Sequence, residues 1–223
     1  MTKGIFITAT GTDIGKTYIS GLIVKKLREC GLNCGYFKPA LSGAEIVDNK
    51  IVPGDCSYVF KHAGIPLNPL NYVSYIYKEA VSPHLAAEIE NNPVKLDKIL
   101  SDFNRIKKEF DYLVVEGAGG ICCPFNIKEK LMLPDIIKAL NLDIIVVASA
   151  ALGTINSTLL TVEYAKNHGI NVKGIILNNY DENDFMHKDN KKQIEVLTGI
   201  KVVSTVSNSA ENIDDMSELF KEV

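Results

Sequence analysis

The sequence lacks tryptophan, long apolar runs and any excess of basic charge. No apolar run within its 223 residues is long enough to span a bilayer. The segment that follows Met1 is too short for the apolar core of a signal peptide and offers no cleavage site. Its 24 basic and 27 acidic residues leave a net charge of −3, and the basic residues form no cluster. We therefore expect a cytoplasmic protein that binds neither membranes nor nucleic acid.

Cysteine pairs and zinc ligands are also missing. The five cysteines are odd in number and do not combine with the four histidines at the spacings of a zinc site. Free thiols in a reducing compartment are the simpler interpretation, and this includes the adjacent pair Cys122 and Cys123. The sequence shows no Ser/His/Asp or Cys/His signature of nucleophilic catalysis either.

Length and composition favour one α/β domain over residues 1–223. Charged residues make up 23% of the chain and apolar residues 46%, as in ordinary globular proteins. A chain of this length buries roughly 70% of its unfolded surface, so a full core needs no disulfides. No internal repeat, low-complexity segment or change in composition marks a domain boundary.

Short apolar runs alternate with amphipathic patterns along the whole chain. Six runs predict strands buried on both faces: 3–8, 33–38, 111–116, 142–149, 171–178 and 201–205. Apolar residues at helical spacing predict helices over 19–30 and 96–110, and Gly31 stands where the first of these ends. The alternation predicts a parallel sheet flanked by helices on both faces, with ligands at the carboxyl ends of its strands. Residues 39–55 and 117–130 lack such a pattern, and we expect functional loops there.

The segment TATGTDIGKT, residues 8–17, lies between the first predicted strand and the first predicted helix. A glycine-rich loop in that position directs backbone N–H groups and a helix N-terminus at phosphate. Lys16 would reach the β- and γ-phosphates, and Thr17 would offer a hydroxyl to Mg²⁺. The strict pattern G-x-x-x-x-G-K-[ST] has glycine where this chain has Thr10, and threonine resists backbone angles that glycine accepts. The sequence nevertheless predicts a loop that binds a nucleoside triphosphate, and with it a P-loop NTPase-like parallel sheet flanked by helices on both faces.

Three charged side chains complement this loop. Glu116 closes the strand in VEGAGG, where a carboxylate would hold Mg²⁺ directly or through water. Asp55 precedes a helical run, so it is either a metal ligand or a helix N-cap. Lys38 in GYFKPALSG ends a predicted strand before a proline turn, where it is either solvated or in contact with the triphosphate.

Six segments together resemble the ATP-dependent dethiobiotin synthetase family. They are TGTDIGKT, GYFKPALSG, GDCS, SPHLAAE, VEGAGG and LGTIN, and they follow the family's order over nearly the whole chain. VEGAGG with LGTIN is the more specific part, whereas Gly-Lys-Thr alone is a weak signal. Two positions depart from the family: Ala9 replaces a glycine near the front of the loop, and Ser204 replaces a late proline.

The resemblance implies a role for each matching residue. Lys16 and Lys38 would be catalytic, and the ligands of Mg²⁺ would be Thr17, Asp55 and Glu116. The substrate would contact Ser42 and the segment Leu152, Gly153, Thr154, Ile155 and Asn156. The nucleotide-binding residues would be Asp13, Ile14, Gly15, Lys16, Thr17, Tyr18, Asp55, Glu116, Gly117, Ala118, Gly119, Asn178, Asn179, Ser204, Thr205, Val206 and Glu211.

The resemblance also implies the reaction and the assembly. Members of the family join 7,8-diaminononanoate and CO₂ at the expense of ATP, through a carbamate and a carbamic–phosphoric anhydride, to give dethiobiotin, ADP and phosphate. Mg²⁺ would be the cofactor. A homodimer is implied as well, in which the substrate carboxylate meets the segment 152–156 of the partner subunit. That segment opens a predicted helix, whose N-terminal amides favour an anion.

Two alternative functions are compatible with the predicted fold. A switch ATPase of the partitioning type would carry an extra lysine at the front of the loop, where this chain reads TATG. A related amide-forming ligase, such as a cobyrinate-amidating enzyme, would add a glutaminase domain, whereas about one helix fits after the last predicted strand. A GTPase is disfavoured because NNYDEND at 178–184 does not supply Asn-Lys-x-Asp. The choice between ATP and another triphosphate stays open.

Overall fold

The computed structural model describes all residues from Met1 to Val223. The strands are β1 (Lys3–Ala9), β2 (Cys34–Leu41), β3 (Glu45–Val47), β4 (Lys50–Val52), β5 (Val73–Ile76), β6 (Tyr112–Glu116), β7 (Pro124–Asn126), β8 (Leu131–Met132), β9 (Ile144–Ser149), β10 (Val172–Asn178), β11 (Val202–Val206) and β12 (Lys221–Glu222). The helices are α1 (Lys16–Glu29), α2 (Gly54–His62), α3 (Pro83–Ile89), α4 (Leu96–Ile106), α5 (Leu133–Ala139), α6 (Thr154–Asn167) and α7 (Phe185–Thr198). Short 3-10 helices span Pro69–Tyr72, Lys107–Glu109 and Ser217–Leu219.

One large sheet organises the chain. Its parallel strands follow the order β11-β10-β9-β1-β6-β2-β5, and β12 pairs with β1 in the antiparallel direction. Two small antiparallel hairpins, β3–β4 and β7–β8, interrupt the segments predicted as loops at 39–55 and 117–130. The central strand β1 lies between β6 and β9, so the loop that follows β1 stands at the middle of the carboxyl edge of the sheet.

Both faces of the sheet are covered. Strand β2 is buried at every position, and β1 is buried at every position after its first residue. Because successive strand residues point to opposite faces, such strands must be covered on both sides. The buried apolar residues form one cluster of 63. The predicted parallel sheet flanked by helices on both faces is therefore confirmed.

The strand predictions were correct for six of the seven parallel strands and missed the seventh. The predicted runs correspond to β1, β2, β6, β9, β10 and β11, whereas β5 was not predicted. A run of four residues that includes Ser74 is too short to distinguish from a loop by periodicity. The missed strand also changes the end of β2, which continues to Leu41 because Lys38, Ala40 and Leu41 pair with β5. Lys38 thus lies within a strand and not at its end.

The amphipathic patterns located α1 and α4 to within a few residues. Gly31 follows α1 with φ 82°, as a glycine at the end of a helix should. After β11, where the remaining chain has about the length of one helix, a 3-10 turn and β12 follow. Ile213, Met216 and Phe220 are buried there, and their near-helical spacing imitates an amphipathic helix. No helix has both the length and the apolar character needed to cross a membrane.

Candidate active site

The loop between β1 and α1 has two left-handed positions. Gly15, the N-cap of α1, has φ 99°, and Asp13 has φ 58°. A Cβ at position 15 would lie 2.3 Å from Nδ2 of Asn178, so glycine is required there. Thr10 has no positive φ, and its N–H donates to the carbonyl of Val147 at 3.1 Å. The loop therefore accommodates threonine where the strict pattern has glycine.

The end of β10 supports this loop from the side. Asn178 donates from Nδ2 to the carbonyl of Ile14 at 2.9 Å. Its Oδ1 is buried and has no hydrogen-bond partner within the protein. Buried polar atoms are nearly always hydrogen-bonded, so an amide oxygen without a donor indicates a place where a ligand donates. Asn178 had been predicted to contact the nucleotide, and the structure places it against the phosphate loop.

Lys38 joins two acidic side chains into one cluster. Its Nζ lies 2.8 Å from Oε1 of Glu116 and 2.6 Å from Oδ2 of Asp55. It also donates to the carbonyl of Gly117 at 3.3 Å. Thr17, at the start of α1, donates from Oγ1 to the same Glu116 oxygen at 2.8 Å. Residues that are far apart in the sequence thus meet at one carboxylate.

The register of the strands explains why these side chains meet. Strands β2 and β6 pair with Tyr36 opposite Val114. Because side chains alternate between the two faces, Tyr36, Lys38 and Glu116 all project from the same face of the sheet. Glu116 is the last residue of β6, and it is completely buried. A buried carboxylate requires an opposite charge, which Lys38 supplies.

Burial and neighbouring charges set the pKa values of the cluster. Burial opposes the charge of Lys38, but the carboxylates of Glu116 and Asp55 outweigh it and raise the pKa of Lys38 well above its ordinary value. Burial and then the charge of Lys38 lower the pKa of Lys16. Burial opposes ionisation of Asp55, but Lys38 holds the pKa of Asp55 below its ordinary value. Lys38 is therefore held as a cation. Lys16 forms no ion pair, and its one hydrogen bond goes to the carbonyl of Gly11 at 3.3 Å.

A cavity of about 950 Å³ opens over this cluster. The predicted site residues that line it are Asp13, Gly15, Lys16, Thr17, Lys38, Ser42, Asp55, Glu116, Ala118 and Gly119. The hydroxyl of Ser42 is buried and has no hydrogen-bond partner within the protein, so it is available to a bound molecule. The volume is sufficient for the phosphates of a nucleotide together with a small second substrate.

A second cavity of about 450 Å³ lies at the ends of β10 and β11. Of the predicted nucleotide-binding residues, Asn179 and Thr205 line it. Val206 is buried beside it and accepts from the backbone N–H of Tyr180 at 2.9 Å. The remaining lining residues are Tyr180, Asp181, Glu182, Ser207 and Asn208. This cavity is polar and adjoins the strand ends that neighbour the phosphate loop.

The segment after β11 is tied to the rest of the fold by three side chains. Ser204 donates from Oγ to Oδ2 of Asp214 at 2.8 Å. The hydroxyl of Tyr18 donates to the carbonyl of Ala210. Lys25 donates to the carbonyl of Glu211 at 3.0 Å. Of the predicted residues in this region, Tyr18, Ser204 and Glu211 therefore anchor the segment and do not line either cavity.

The predicted segment 152–156 lines neither cavity. Gly153 is the N-cap of α6 with φ 92°, and the helix begins at Thr154. Leu152 is 87% exposed, whereas Thr154 is buried. Ile155 is half-buried and Asn156 is exposed. The fold does not bring this segment to the cavity of its own chain.

The oxygen donors around Glu116 fit a magnesium ion. Mg²⁺ prefers hard oxygen ligands and commonly uses one or two carboxylates together with water and phosphate oxygens. The Thr17 hydroxyl and the carboxylates of Asp55 and Glu116 provide such donors within one cluster. Asp55 lies in the first turn of α2, whose N-cap is Pro53, so the alternative of Asp55 as an N-cap is wrong.

Several residues of the site were not predicted from the sequence. Tyr36 donates to Oε2 of Glu116 at 2.9 Å, and its position two residues before Lys38 was a signal that could have revealed it. Cys122 and Cys123 line the main cavity, although they had been interpreted as bystanders. The other unpredicted lining residues are Thr12, Ala40, Ala80, Val81, Ser82, Pro83 and Gly120. Segment 80–83 follows the missed strand β5, so sequence patterns did not indicate where it runs.

A parallel sheet with a phosphate loop after its central strand, and an acidic side chain at the end of the adjacent strand, defines a protein of the P-loop NTPase class. A family model described as an AAA domain matches residues 3–214. The chain belongs to the ATP-dependent dethiobiotin synthetase family. It is 56% identical to ATP-dependent dethiobiotin synthetase BioD of Clostridium botulinum strain Eklund 17B, over 96% of this chain and 94% of that one. With the protein of the same name from strain Loch Maree the identity is 49% over the full length of both.

Solved structures of lower sequence similarity share the fold. A ParA family ATPase from Chlorobium tepidum TLS has a TM-score of 0.60 at 12% identity, over 95% of this chain and 87% of that chain. The MinC:MinD cell division protein complex of Aquifex aeolicus has a TM-score of 0.61 at 14% identity, over 94% of this chain and 83% of that chain. At these identities the likeness concerns the fold alone.

Proposed function

We propose that the protein forms dethiobiotin from 7,8-diaminononanoate, CO₂ and ATP. The observation that carries this proposal is the cluster of Lys16, Thr17, Lys38, Asp55 and Glu116 around one cavity, in a chain of the dethiobiotin synthetase family. A triphosphate and a diamine with CO₂ would share that cavity. Its volume of about 950 Å³ and its charged lining suit them.

The reaction requires stabilisation of charge and positioning of the substrates, and it needs no covalent bond between substrate and protein. One amine of the substrate adds to CO₂ and loses a proton, which leaves a carbamate. A carbamate oxygen then attacks the γ-phosphorus of ATP and expels ADP, so that a carbamic–phosphoric anhydride forms. The second amine attacks the carbonyl carbon of the anhydride, loses a proton and expels phosphate, which closes the cyclic urea. Negative charge moves over phosphoryl oxygens throughout, and no protein nucleophile is needed.

The two lysines have different electrostatic parts in this proposal. Lys38 is held as a cation by Glu116 and Asp55, so it stabilises charge on the transferring phosphoryl group and does not act as a base. Lys16 has no carboxylate within salt-bridge distance, and a bound triphosphate would provide its counter-charge. The positive charge of Lys38 is in place before the substrate arrives. Such preorganisation is the largest single contribution in many enzymes.

Thr17, Asp55 and Glu116 would hold Mg²⁺ in this proposal, as their oxygen atoms suit that ion. When bound, the ion would neutralise charge on the β- and γ-phosphate oxygens. Thr17 and Glu116 are already joined by a hydrogen bond of 2.8 Å, which orients both side chains. Lys38 lies against the same carboxylates and limits their mutual repulsion.

The nucleotide would extend from the main cavity to the second one. Residues 13–18 would surround the phosphates, together with the backbone of Gly117, Ala118 and Gly119. Asn178 has a free amide oxygen beside the loop, and Asn179 and Thr205 line the polar cavity at the neighbouring strand ends. The base would therefore lie between the end of β10 and the segment after β11. ATP is the triphosphate that the family uses.

The diamine would extend from Ser42 towards a second copy of the chain. Leu152 is exposed, and the segment that opens α6 does not line the cavity of its own subunit. A two-fold homodimer would bring that N-terminus to the cavity of the partner, where its amides would bind the substrate carboxylate. We also propose that residues 1–223 act as one domain, since one apolar cluster runs through the fold. Five free cysteines support a cytoplasmic location.

Incubation of the purified protein with 7,8-diaminononanoate, bicarbonate, ATP and Mg²⁺ tests the proposal. Mass spectrometry should detect dethiobiotin, and ADP should appear in equal amount only when the diamine is present. Omission of the diamine separates the two main functions, because a switch ATPase of the partitioning type would hydrolyse ATP without it. Rapid ATP hydrolysis without diamine, together with no cyclic urea, would overturn the synthetase assignment.

A further inference from the structure

Tyr36 is a buried polar residue that the proposed reaction does not use directly. It is completely buried within β2, and its hydroxyl donates to Oε2 of Glu116 at 2.9 Å. The other oxygen of that carboxylate, Oε1, accepts from Thr17 and from Lys38, each at 2.8 Å. The two oxygens of Glu116 therefore have separate partners: Tyr36 on one side, and the phosphate loop and Lys38 on the other.

We propose that Tyr36 is a positioning residue that orients the Glu116 carboxylate, so that Oε1 faces Thr17 and the metal site. The identity of the metal, Mg²⁺, rests on the proposed function. The orientation itself rests on the three hydrogen bonds to Glu116. Tyr36 acts through Glu116 and does not touch the nucleotide, since it does not line the main cavity.

A carboxylate at the end of a strand needs such a partner. The terminal torsion of a glutamate is broad, so the carboxylate plane is not set by the side chain alone. A donor on Oε2 that is itself fixed in a close-packed core removes that freedom. Residues that hydrogen-bond to metal ligands commonly have this function, and their loss reduces metal affinity.

The sheet places Tyr36 for this task. Tyr36 pairs with Val114, two residues before Glu116, and both lie on the face that also carries Lys38. The aromatic ring spans the diagonal distance between neighbouring strands and places the hydroxyl at Oε2 of Glu116.

The experiment replaces the hydroxyl and keeps the ring, in Tyr36→Phe. Binding of Mn²⁺ in the presence of ADP is measured by electron paramagnetic resonance for wild type and variant. We expect Mn²⁺ to bind roughly 10-fold more weakly to the variant. In assays, the concentration of Mg²⁺ that gives half-maximal rate should rise, while KM for the diamine stays unchanged. Unchanged Mn²⁺ affinity in a folded variant would overturn the inference.

Tyr72→Phe is the matched control. The Tyr72 hydroxyl donates to Oε2 of Glu109 at 2.6 Å, outside both cavities, so its loss removes the same type of hydrogen bond without affecting the metal site.

The effect of Tyr36→Phe on Mn²⁺ affinity should also largely disappear when Glu116→Gln is already present, because the effects of mutations at contacting residues are coupled. A full Tyr36 effect in that background would contradict action through Glu116. A Tyr36→Phe protein that fails to fold would show that the hydroxyl serves stability, which also overturns the inference.

The Mn²⁺ measurement needs no turnover. It therefore tests Tyr36 even if the wild-type protein forms no dethiobiotin, in which case the proposed function fails and the inference about Glu116 is judged separately.

Discussion

Lys38 and Glu116 form a buried ion pair, with Nζ of the lysine 2.8 Å from Oε1 of the glutamate. The pair joins strands β2 and β6 at the floor of the main cavity. Desolvation of a single charge at this depth would be costly, so each residue depends on the other. As a result, the Lys38 ammonium is already charged and positioned where phosphoryl oxygens are proposed to bind.

Lys38→Ala should reduce turnover on the order of 10²–10³-fold, because it removes one preorganised stabiliser of the phosphoryl group. It should also lower the melting temperature, since Glu116 would be left buried without its counter-charge. Steady-state kinetics and thermal unfolding provide the two measurements. Lys98→Ala is the control, as it removes an exposed ion pair with Asp102 at 2.7 Å and should change neither. Near-normal turnover of Lys38→Ala would show that Lys38 takes no part in the reaction.

Gly15→Ala should abolish nucleotide binding while the protein stays folded. The new Cβ would lie 2.3 Å from Nδ2 of Asn178, and the φ of 99° is unfavourable for alanine. Calorimetric titration with ADP and Mg²⁺ measures the effect. Gly169→Ala has a similar left-handed φ of 70° but no atom within 4 Å, so it should cost some stability and leave ADP affinity unchanged. Equal ADP affinities in the two variants would contradict this view of the loop.

Nucleotide binding should take up protons at alkaline pH. Burial and Lys38 lower the pKa of Lys16 in the free protein, and the negative phosphates should raise it again in the complex. Where pH lies between the two values, Lys16 is neutral before binding and charged afterwards; at lower pH it is charged in both states. Titrations with ADP in buffers of different ionisation enthalpy should therefore show more proton uptake at alkaline pH than at neutral pH.

Lys16→Arg serves as the control for that measurement. The guanidinium stays charged at every accessible pH, so any uptake due to position 16 should vanish. Uptake that persists unchanged in Lys16→Arg would assign the proton to another group.

Ser204→Ala should raise KM for ATP a few-fold without changing KM for the diamine. The Ser204 hydroxyl holds Asp214 at 2.8 Å and thereby fixes the segment after β11, beside the second cavity. Loss of one such hydrogen bond is worth about 1 kcal/mol, or roughly a fivefold change in affinity. Steady-state kinetics with each substrate varied in turn measures the two KM values separately. Thr161→Val is the control, because it removes a hydroxyl that donates within α6 to the carbonyl of Ser157 at 2.8 Å. Equal changes in both KM values would argue against an effect confined to the region proposed to bind the nucleotide base.

Mixed dimers should recover activity that neither parent has. Lys16→Ala disables the phosphate loop, and Leu152→Glu places a carboxylate at the exposed segment before α6, where it would repel the substrate carboxylate. A heterodimer purified through two affinity tags would contain one site with both halves intact. It should show roughly half of wild-type activity if sites are shared between subunits.

Val196→Glu, an exposed change on α7, is the control for added charge and should retain activity by itself. Heterodimers that stay inactive, or a wild-type protein that sediments as an active monomer, would rule out a shared site.

The sequence by itself determined the features that depend on local pattern. Apolar runs located six of the parallel strands, and the position of Gly15, Lys16 and Thr17 between a strand and a helix indicated the phosphate loop. Glu116 at the end of an apolar run was also visible, because the carboxyl ends of parallel strands meet at one edge. These inferences need only periodicity and chain order.

Only the tertiary structure decided which side chains meet. Tyr36 and Glu116 are 80 residues apart in sequence, and Asn178 and Ile14 are 164 apart. Their contacts depend on strand order and register, which no local pattern encodes, since a shift of one residue would turn each side chain to the other face. Sequence patterns also failed to predict β5 and the position of Lys38 within β2, because those two strands pair only in the assembled sheet.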